Sequence, residues 1–153
     1  MAQTKFVYVT FIRTTPEKLW DALTQPDFNR AYWFGMWQDC EWKQGSTWQL
    51  KFSDGRVADA GEVVSVDRPR RIVIAWRNEW KPELKDEGFS RATFDLEPQG
   101  DTVKLTVTHE MERDGAKLID AVSIGWPSVL SSLKSLLETG KALERPAAAT
   151  CKA

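Results

Sequence analysis

Residues 125–140 of this chain read GWPSVLSSLKSLLETG, and this stretch decides the fold. Its apolar residues recur at offsets of three, four and seven, which is the spacing of one face of an α-helix. Pro127 suits the first helical position and Gly140 suits the left-handed residue that ends a helix, so we expect about 13 helical residues, roughly 20 Å in length. A helix of this length needs a broad apolar surface to pack on.

The hundred residues before that helix carry mostly strand patterns. Residues 6–13 are β-branched and aromatic almost throughout, which is typical of a first strand with a buried face. From residue 39 onward, short runs that alternate between apolar and polar residues are separated by turns, which predicts consecutive antiparallel strands. The pair Asp54-Gly55 predicts a two-residue hairpin turn with positive φ at both residues. We predict these six further strands at 39–42, 48–52, 57–66, 72–77, 89–97 and 103–111.

Two short helices are predicted between the first two strands. Thr15 and Pro16 supply an N-cap and a first helical residue, although Thr14 could instead begin a capping box. Apolar residues repeat at helical spacing up to residue 23, and a second short helix is predicted around residues 28–34. The order is therefore strand, two short helices, six strands and a long helix.

This order predicts an α+β fold, in which a curved antiparallel sheet of six to seven strands wraps around the long C-terminal helix. At 153 residues the chain is long enough to bury a normal core in one domain, which we place at residues 1–143. Residues 144–153 carry little to bury, so we expect a flexible tail.

Composition excludes several classes of partner. A formal net charge of -1 gives no electrostatic attraction to nucleic acid or to an anionic membrane. No signal-peptide pattern is present, and no apolar run approaches the ~18 residues of a membrane span, so we expect a cytoplasmic protein. Cys40 and Cys151 lie far apart in the sequence, which argues against a structural disulfide.

The sequence also gives no sign of a metal or an organic cofactor. One histidine and two distant cysteines cannot supply the three or four nitrogen and sulfur ligands of a usual metal site. No glycine-rich phosphate loop is present, so we expect no nucleotide cofactor. Cys40 could act as a nucleophile only with His109 as its base, and the alternative is a small residue in a short strand.

The aromatic residues are the strongest functional signal. The chain has eight tryptophans, and aromatic residues crowd between positions 28 and 52. Large rigid rings between sheet and helix could hold open a cavity for an apolar or aromatic ligand, with segments 35–39 and 78–88 as candidate lids. The alternative is that the rings simply fill the core. The predicted cavity residues are Trp33, Trp37, Trp48, Phe52, Trp76, His109, Trp126 and Leu130.

His109 is the only histidine, and its position in the last strand places it on the apolar face toward the helix. It could serve as a general base or as a hydrogen-bond anchor for a ligand. Alternatively, neighbouring groups satisfy its hydrogen bonds and its role is structural.

Three motifs resemble one known family: residues 15–24 (TPEKLWDALT), residues 32–35 (YWFG) and the Gly-Trp-Pro helix at 125–138. They are similar to the C-terminal domain of the heat-shock-protein-90 ATPase activator, within the START and birch-pollen-allergen superfamily. The resemblance covers about residues 5–143 and implies a helix-grip fold with a cavity between sheet and helix. It also implies binding of hydrophobic small molecules, and it carries no shared catalytic residue.

The leading functional hypothesis is therefore a protein that binds a small hydrophobic or aromatic molecule in an internal cavity. One alternative is an enzyme, such as a polyketide-type cyclase or a hydrolase that uses His109 with cavity water. Another is a regulator of a chaperone ATPase, which would make a chaperone the partner.

Overall fold

A computed structural model describes residues 4–144. The predicted tail lies, apart from Glu144, outside the described residues. The elements, in chain order, are β1 (Thr4–Ile12), α1 (Pro16–Thr24), α2 (Pro26–Tyr32), β2 (Trp37–Cys40), β3 (Thr47–Lys51), β4 (Val57–Asp67), β5 (Arg71–Asn78), α3 (Pro82–Lys85), β6 (Ser90–Gln99), β7 (Thr102–Met111) and α4 (Lys117–Thr139).

All seven strands form one antiparallel sheet in the order β1-β7-β6-β5-β4-β3-β2. Each strand from β2 to β7 pairs with the next strand along the chain, through turns or, between β5 and β6, through the connection that carries α3. Strand β1 pairs with β7 and forms the other edge of the sheet. The helix α4 packs against β1, β7 and α2, so its apolar face covers the inner face of the sheet. The predicted α+β helix-grip fold is confirmed.

The long helix begins earlier than the sequence pattern predicts. It spans 23 residues from Lys117, so Pro127 lies inside the helix and not at its first position. Leu118, Ile119 and Val122 are buried and extend the apolar face by about two turns toward the N-terminus. This burial outweighs the one backbone hydrogen bond that a proline removes. The predicted end is correct, since Gly140 is left-handed with φ 85°.

The structure tests two local predictions, one at the start of α1 and one in the turn between β3 and β4. Thr15 is the N-cap of α1, because its side chain accepts a hydrogen bond from the Lys18 N–H at 3.2 Å. The predicted two-residue turn at Asp54-Gly55 is wrong, because Gly55 (φ 95°) has positive φ and Asp54 does not. Asp54 instead accepts a hydrogen bond from the Arg56 N–H with its carboxylate, and the loop is longer than two residues.

The alternation predicted for β7 is correct and orients the functional face of the sheet. Val103, Leu105, Val107 and Met111 are buried on the inner face, with His109 among them. Their neighbours in the strand are half-buried on the outer face. The core therefore lies between the inner face of the sheet and α4.

Candidate functional site beneath the C-terminal helix

Three tryptophans lie together under α4 and form the centre of the core. Trp48 on β3, Trp76 on β5 and Trp126 on α4 are each fully buried. The ring centroids of Trp48 and Trp76 are 4.4 Å apart, and those of Trp76 and Trp126 are 5.7 Å apart. These are contact distances for aromatic pairs, so the rings pack on each other.

Each of these three indoles donates its N–H to a buried polar side chain. Trp48 Nε1 donates to Gln38 Oε1 at 2.9 Å, and Trp76 Nε1 donates to Asp59 Oδ2 at 2.5 Å. Trp126 Nε1 donates to His109 Nδ1 at 3.1 Å. A buried indole N–H without an acceptor would be costly, so the polar partners allow the core to hold three tryptophans.

The Trp126 contact fixes the proton positions on His109. Because an indole N–H can only donate, Nδ1 of His109 accepts, and the imidazole hydrogen is on Nε2. Nε2 lies 2.8 Å from Ser90 Oγ, and the Ser90 hydroxyl in turn donates to the Trp76 carbonyl at 2.9 Å. Both ring nitrogens are thus occupied by protein groups.

Burial also keeps His109 neutral. The side chain is fully buried, and desolvation lowers its pKa to about 3. A neutral imidazole whose acceptor nitrogen already holds an indole N–H cannot take a proton from a substrate or from cavity water. Of the two interpretations of His109, this geometry supports the structural one.

A second polar cluster supports Trp48 from the side of α2. The Gln38 side-chain amide donates to the Leu23 carbonyl at 2.7 Å, and its backbone N–H donates to Asn29 Oδ1 at 3.0 Å. Asn29 also donates to the Ala22 carbonyl at 3.1 Å and to the Tyr32 hydroxyl at 3.2 Å. Burial raises the pKa of Tyr32, so its hydroxyl stays protonated. This cluster joins α1, α2 and β2.

The space left between these groups is small. A cavity of about 10 Å³ lies where α1, α2 and β2 meet α4, which is close to the minimum for one water molecule. In this conformation the tryptophan rings pack on each other, and the space that remains is smaller than an aromatic guest. The cavity is lined by Leu23, Tyr32, Trp33, Gln38, Trp42, Ile72, Phe94, Trp126, Val129 and Leu130.

The structure brings only some of the predicted cavity residues together. Trp33, Trp126 and Leu130 line the small cavity. Trp48, Trp76 and His109 lie next to it in the packed cluster. These three are not among the residues that line the cavity.

The other two predicted aromatics lie away from the cavity. Trp37 is half-buried, with the Arg30 guanidinium 4.7 Å and the Lys51 ammonium 5.1 Å from its ring. Phe52 packs edge-on against Trp80, with centroids 5.5 Å apart, at the end of the β3–β4 hairpin. The alternation of β3 does not extend to Phe52, because β3 ends at residue 51.

Sequence reasoning missed the polar partners Asn29, Gln38, Asp59 and Ser90, all of which are buried. A usable signal existed for them. A chain with several inward-facing tryptophans must also bury an acceptor for each indole N–H, so polar residues on inward faces are expected among apolar neighbours.

Cys40 does not form a nucleophile–base pair with His109. Its sulfur lies 3.6 Å from Ser46 Oγ and accepts the Trp42 N–H at 3.2 Å, while His109 is occupied by Ser90 and Trp126. Burial is the main reason that the pKa of the Cys40 thiol is raised, which disfavours the reactive thiolate.

Neither a metal-binding cluster nor a membrane-spanning helix occurs among residues 4–144. No three His, Cys, Asp or Glu side chains are grouped so that they could hold a metal ion. None of the helices there has the length and apolar character needed to span a bilayer.

The chain has a seven-stranded antiparallel sheet packed around one long C-terminal helix, with two short helices after the first strand. This architecture defines a helix-grip protein. Its family follows from the sequence. The profile of the family described as "Activator of Hsp90 ATPase homolog 1-like protein" matches residues 13–138, and the chain belongs to this family. No curated protein sequence matches the chain significantly.

Solved structures share the fold across most of the chain. Protein MLL2253 from Mesorhizobium loti is 25% identical, with a TM-score of 0.74 over 88% of this chain and 96% of that one. The Aha1 dimer from Colwellia psychrerythraea is 21% identical, with a TM-score of 0.71 over 91% and 99% of the two chains. CalU16 from Micromonospora echinospora is 20% identical, with a TM-score of 0.70 over 86% and 73%.

Proposed function

We propose that this protein binds a small apolar molecule at the cavity between α2 and α4, and that the cavity is closed when no ligand is bound. The observation that carries the proposal is the position of this cavity together with its apolar lining. It lies at the seam between the helical hairpin α1–α2 and the rest of the core, and the surface that faces it is apolar. A ligand would enlarge this cavity by displacing a side chain.

Trp33 is the side chain that a ligand would displace most easily. It is buried and contacts Tyr32 and Trp126, with ring centroids 6.0 and 5.5 Å away. No hydrogen bond to its indole N–H is present among the described residues. Moving Trp33 therefore breaks packing only, whereas moving Trp48, Trp76 or Trp126 would also break a buried hydrogen bond.

The backbone next to Trp33 supports the same proposal. Phe34 and Gly35 follow it directly and have φ of 54° and 90°. A phenylalanine in the left-handed region carries strain of about 1 kcal/mol or more, and such strain is common at ligand clamps and switch regions. The segment from Trp33 to Met36 is thus suited to act as the lid, which overlaps the first candidate lid of the sequence analysis.

The chemistry of the lining indicates the class of ligand. The Gln38 amide and the Tyr32 hydroxyl are already engaged with Leu23, Trp48 and Asn29, so they are not free to bind a polar ligand. Displacing one indole frees a space about the size of that indole. The expected ligand is a compact apolar molecule of one or two aromatic rings.

The experiment titrates benzene, indene and naphthalene into the ¹⁵N-labelled protein and follows amide chemical shifts. We expect shifts at Leu23, Trp33 and Leu130 in the wild type. The variant Trp33→Ala should bind about tenfold more tightly, because less binding energy is used to open the lid. Trp37→Ala, in a half-buried tryptophan outside the cavity, is the control and should bind like the wild type. The absence of saturable shifts in both wild type and Trp33→Ala would refute the proposal.

A second candidate is the regulation of a chaperone ATPase, which the family name suggests for this chain. One observation favours a protein partner: Val7, Val9 and Phe11 on the edge strand β1 are exposed by 50%, 45% and 47%. Stimulation of a purified Hsp90 ATPase that Val9→Ser and Phe11→Ser abolish would support this function, and no stimulation would exclude it. A cyclase or hydrolase based on His109 is not proposed, because both nitrogens of that ring are occupied.

A further inference from the structure

The small cavity beneath α4 is separated from solvent by one side chain in particular. Of the ten residues that line the cavity, nine are buried, and Trp42 alone is half-buried. Trp42 lies in the connection between β2 and β3. Its indole is therefore the part of the cavity wall that reaches the surface, since protein covers the other nine side chains.

The Trp42 ring is held closed by a hydrogen bond to the end of α1. Its Nε1 donates to the carbonyl of Thr24, the last residue of α1, at 3.0 Å. An indole has a single N–H donor, so this is the one hydrogen bond that fixes the ring. Because water can replace the lost partner at a half-buried position, this contact opens at a small net cost.

The backbone of Trp42 is fixed separately from its ring. The Trp42 N–H donates to Cys40 Sγ at 3.2 Å, and this sulfur lies 3.6 Å from Ser46 Oγ. Ser46 Oγ also accepts the Lys43 N–H at 3.3 Å. None of these contacts involves the indole, so the turn keeps its shape when the ring leaves Thr24. Rotation of one side chain is enough to open the wall.

Entry past the segment from Trp33 to Met36 would be more costly. Trp33 is buried, and its ring packs on Tyr32 and Trp126 with centroids 6.0 and 5.5 Å away. A ligand that arrived from that side would have to disrupt these contacts before it reached the cavity. A ligand that arrived past Trp42 would contact Trp33 from inside, where its own binding offsets the displacement of the ring.

We propose that the Trp42 indole is the gate through which an apolar ligand enters and leaves the cavity. This inference rests on the function proposed above: Trp33 makes room for the ligand, whereas Trp42 controls its passage. A gate that opens more often raises the association and dissociation rate constants by the same factor. The Kd is the ratio of these two constants, so it stays unchanged.

The experiment compares rates in the wild type and in Trp42→Phe, which keeps a ring in the wall but removes the N–H that binds Thr24. Naphthalene is titrated into the ¹⁵N-labelled proteins, and line shapes of the Leu23 and Leu130 amide signals give both rate constants. We expect each rate constant to rise about fivefold, as for the loss of one hydrogen bond, with a Kd within about twofold of the wild type. The same comparison in the Trp33→Ala background should give the same factor.

The matched control is Trp37→Phe, the same substitution in a half-buried tryptophan outside the cavity. Both rate constants should stay within about twofold of the wild type. If naphthalene bound and Trp42→Phe left both rates unchanged, the ligand would enter elsewhere, and the gate alone would be refuted. A changed Kd with an unchanged association rate would make Trp42 a wall of the site and would also refute the gate. If naphthalene bound neither the wild type nor Trp33→Ala, the proposed function would fail, and the gate with it.

Discussion

Trp126 Nε1 donates a hydrogen bond of 3.1 Å to Nδ1 of His109, and this contact ties the long helix to the last strand at the centre of the core. Since His109 Nε2 in turn donates to Ser90, one neutral imidazole connects α4, β7 and β6. The connection depends on His109 remaining neutral, because a second proton would need the nitrogen that accepts from Trp126.

The stability of the protein should therefore fall in mild acid. The pKa of His109 is about 3 in the folded protein and near the ordinary value of 6.5 in the unfolded chain. Between these values the unfolded chain binds a proton that the folded protein does not, so the free energy of unfolding falls as the pH falls. We expect a loss of about 2 kcal/mol between pH 7.5 and 5, measured by urea unfolding.

The variant His109→Gln is the control for this pH dependence. It removes the only histidine, so its free energy of unfolding should be nearly constant between pH 7.5 and 5. Two carboxylates whose pKa is lowered contribute only below this window. Hydrogen bonds from Arg56 and Lys134 lower the pKa of Asp54 and Glu138 in the folded protein, so their contribution is lost only near and below the ordinary value of about 4. A wild-type slope equal to that of the variant would contradict the prediction.

Glu87 caps the long helix from a distant loop, and its removal should loosen the first turn of α4. Its carboxylate accepts from the backbone N–H groups of Lys117 and Leu118 at 2.8 and 3.0 Å, while Ala116 at the N-cap offers no side-chain acceptor. We expect Glu87→Ala to lower the free energy of unfolding by about 1 kcal/mol, as for the loss of a capping residue. Hydrogen exchange at the first residues of α4 should become faster.

The exposed Glu83 on α3 is the matched control for this cap, since it is a glutamate of the same connection between β5 and β6. Glu83→Ala should change the stability by less than about 0.5 kcal/mol. If both variants behaved alike, the contact of Glu87 with α4 would be energetically unimportant.

Gln38 should be more important for stability than its position in a short edge strand suggests. Its side chain accepts from Trp48 and donates to the Leu23 carbonyl, so truncation leaves the buried Trp48 N–H without its acceptor and leaves the Leu23 carbonyl with the weaker Asn29 donor alone. We expect Gln38→Ala to lower the free energy of unfolding by about 3 kcal/mol, measured by urea unfolding. Gln49→Ala, in the adjacent strand β3 and only half-buried, should cost less than about 1 kcal/mol, and a similar loss in both variants would contradict this assignment.

The sequence predicts the fold well because the spacing of apolar residues and the residue preferences of turns are local signals. The alternation of β7 correctly turns His109 inward, and the helical spacing of Trp126, Leu130 and Leu133 correctly identifies the buried face of α4. The start of α4 is missed because Pro127 is a local signal for a helix start, whereas the true start is capped by Glu87, which lies about thirty residues earlier in the chain. A contact between residues so far apart in the chain cannot be recognised from the local sequence pattern.

The candidate site is predicted less well for a related reason. Inward-facing tryptophans can be recognised from the alternation of their strands, but whether their rings leave a cavity depends on packing at the scale of single atoms. Trp48 and Trp76 approach to 4.4 Å because Gln38 and Asp59 satisfy their N–H groups inside the core. Without these partners, the same rings would have to turn toward water.

Gly61 should tolerate no side chain, although its φ is not positive. An added Cβ would lie 1.7 Å from the Ala75 carbonyl oxygen, so β4 and β5 would have to separate locally. We expect Gly61→Ala to lower the free energy of unfolding by about 3 kcal/mol. Gly55→Ala is the comparison: it has positive φ but nothing within 4 Å of the added Cβ, so its cost should be only about 1 kcal/mol. Urea unfolding of both variants measures the difference, and the reverse order of stabilities would show that the two strands can separate without loss.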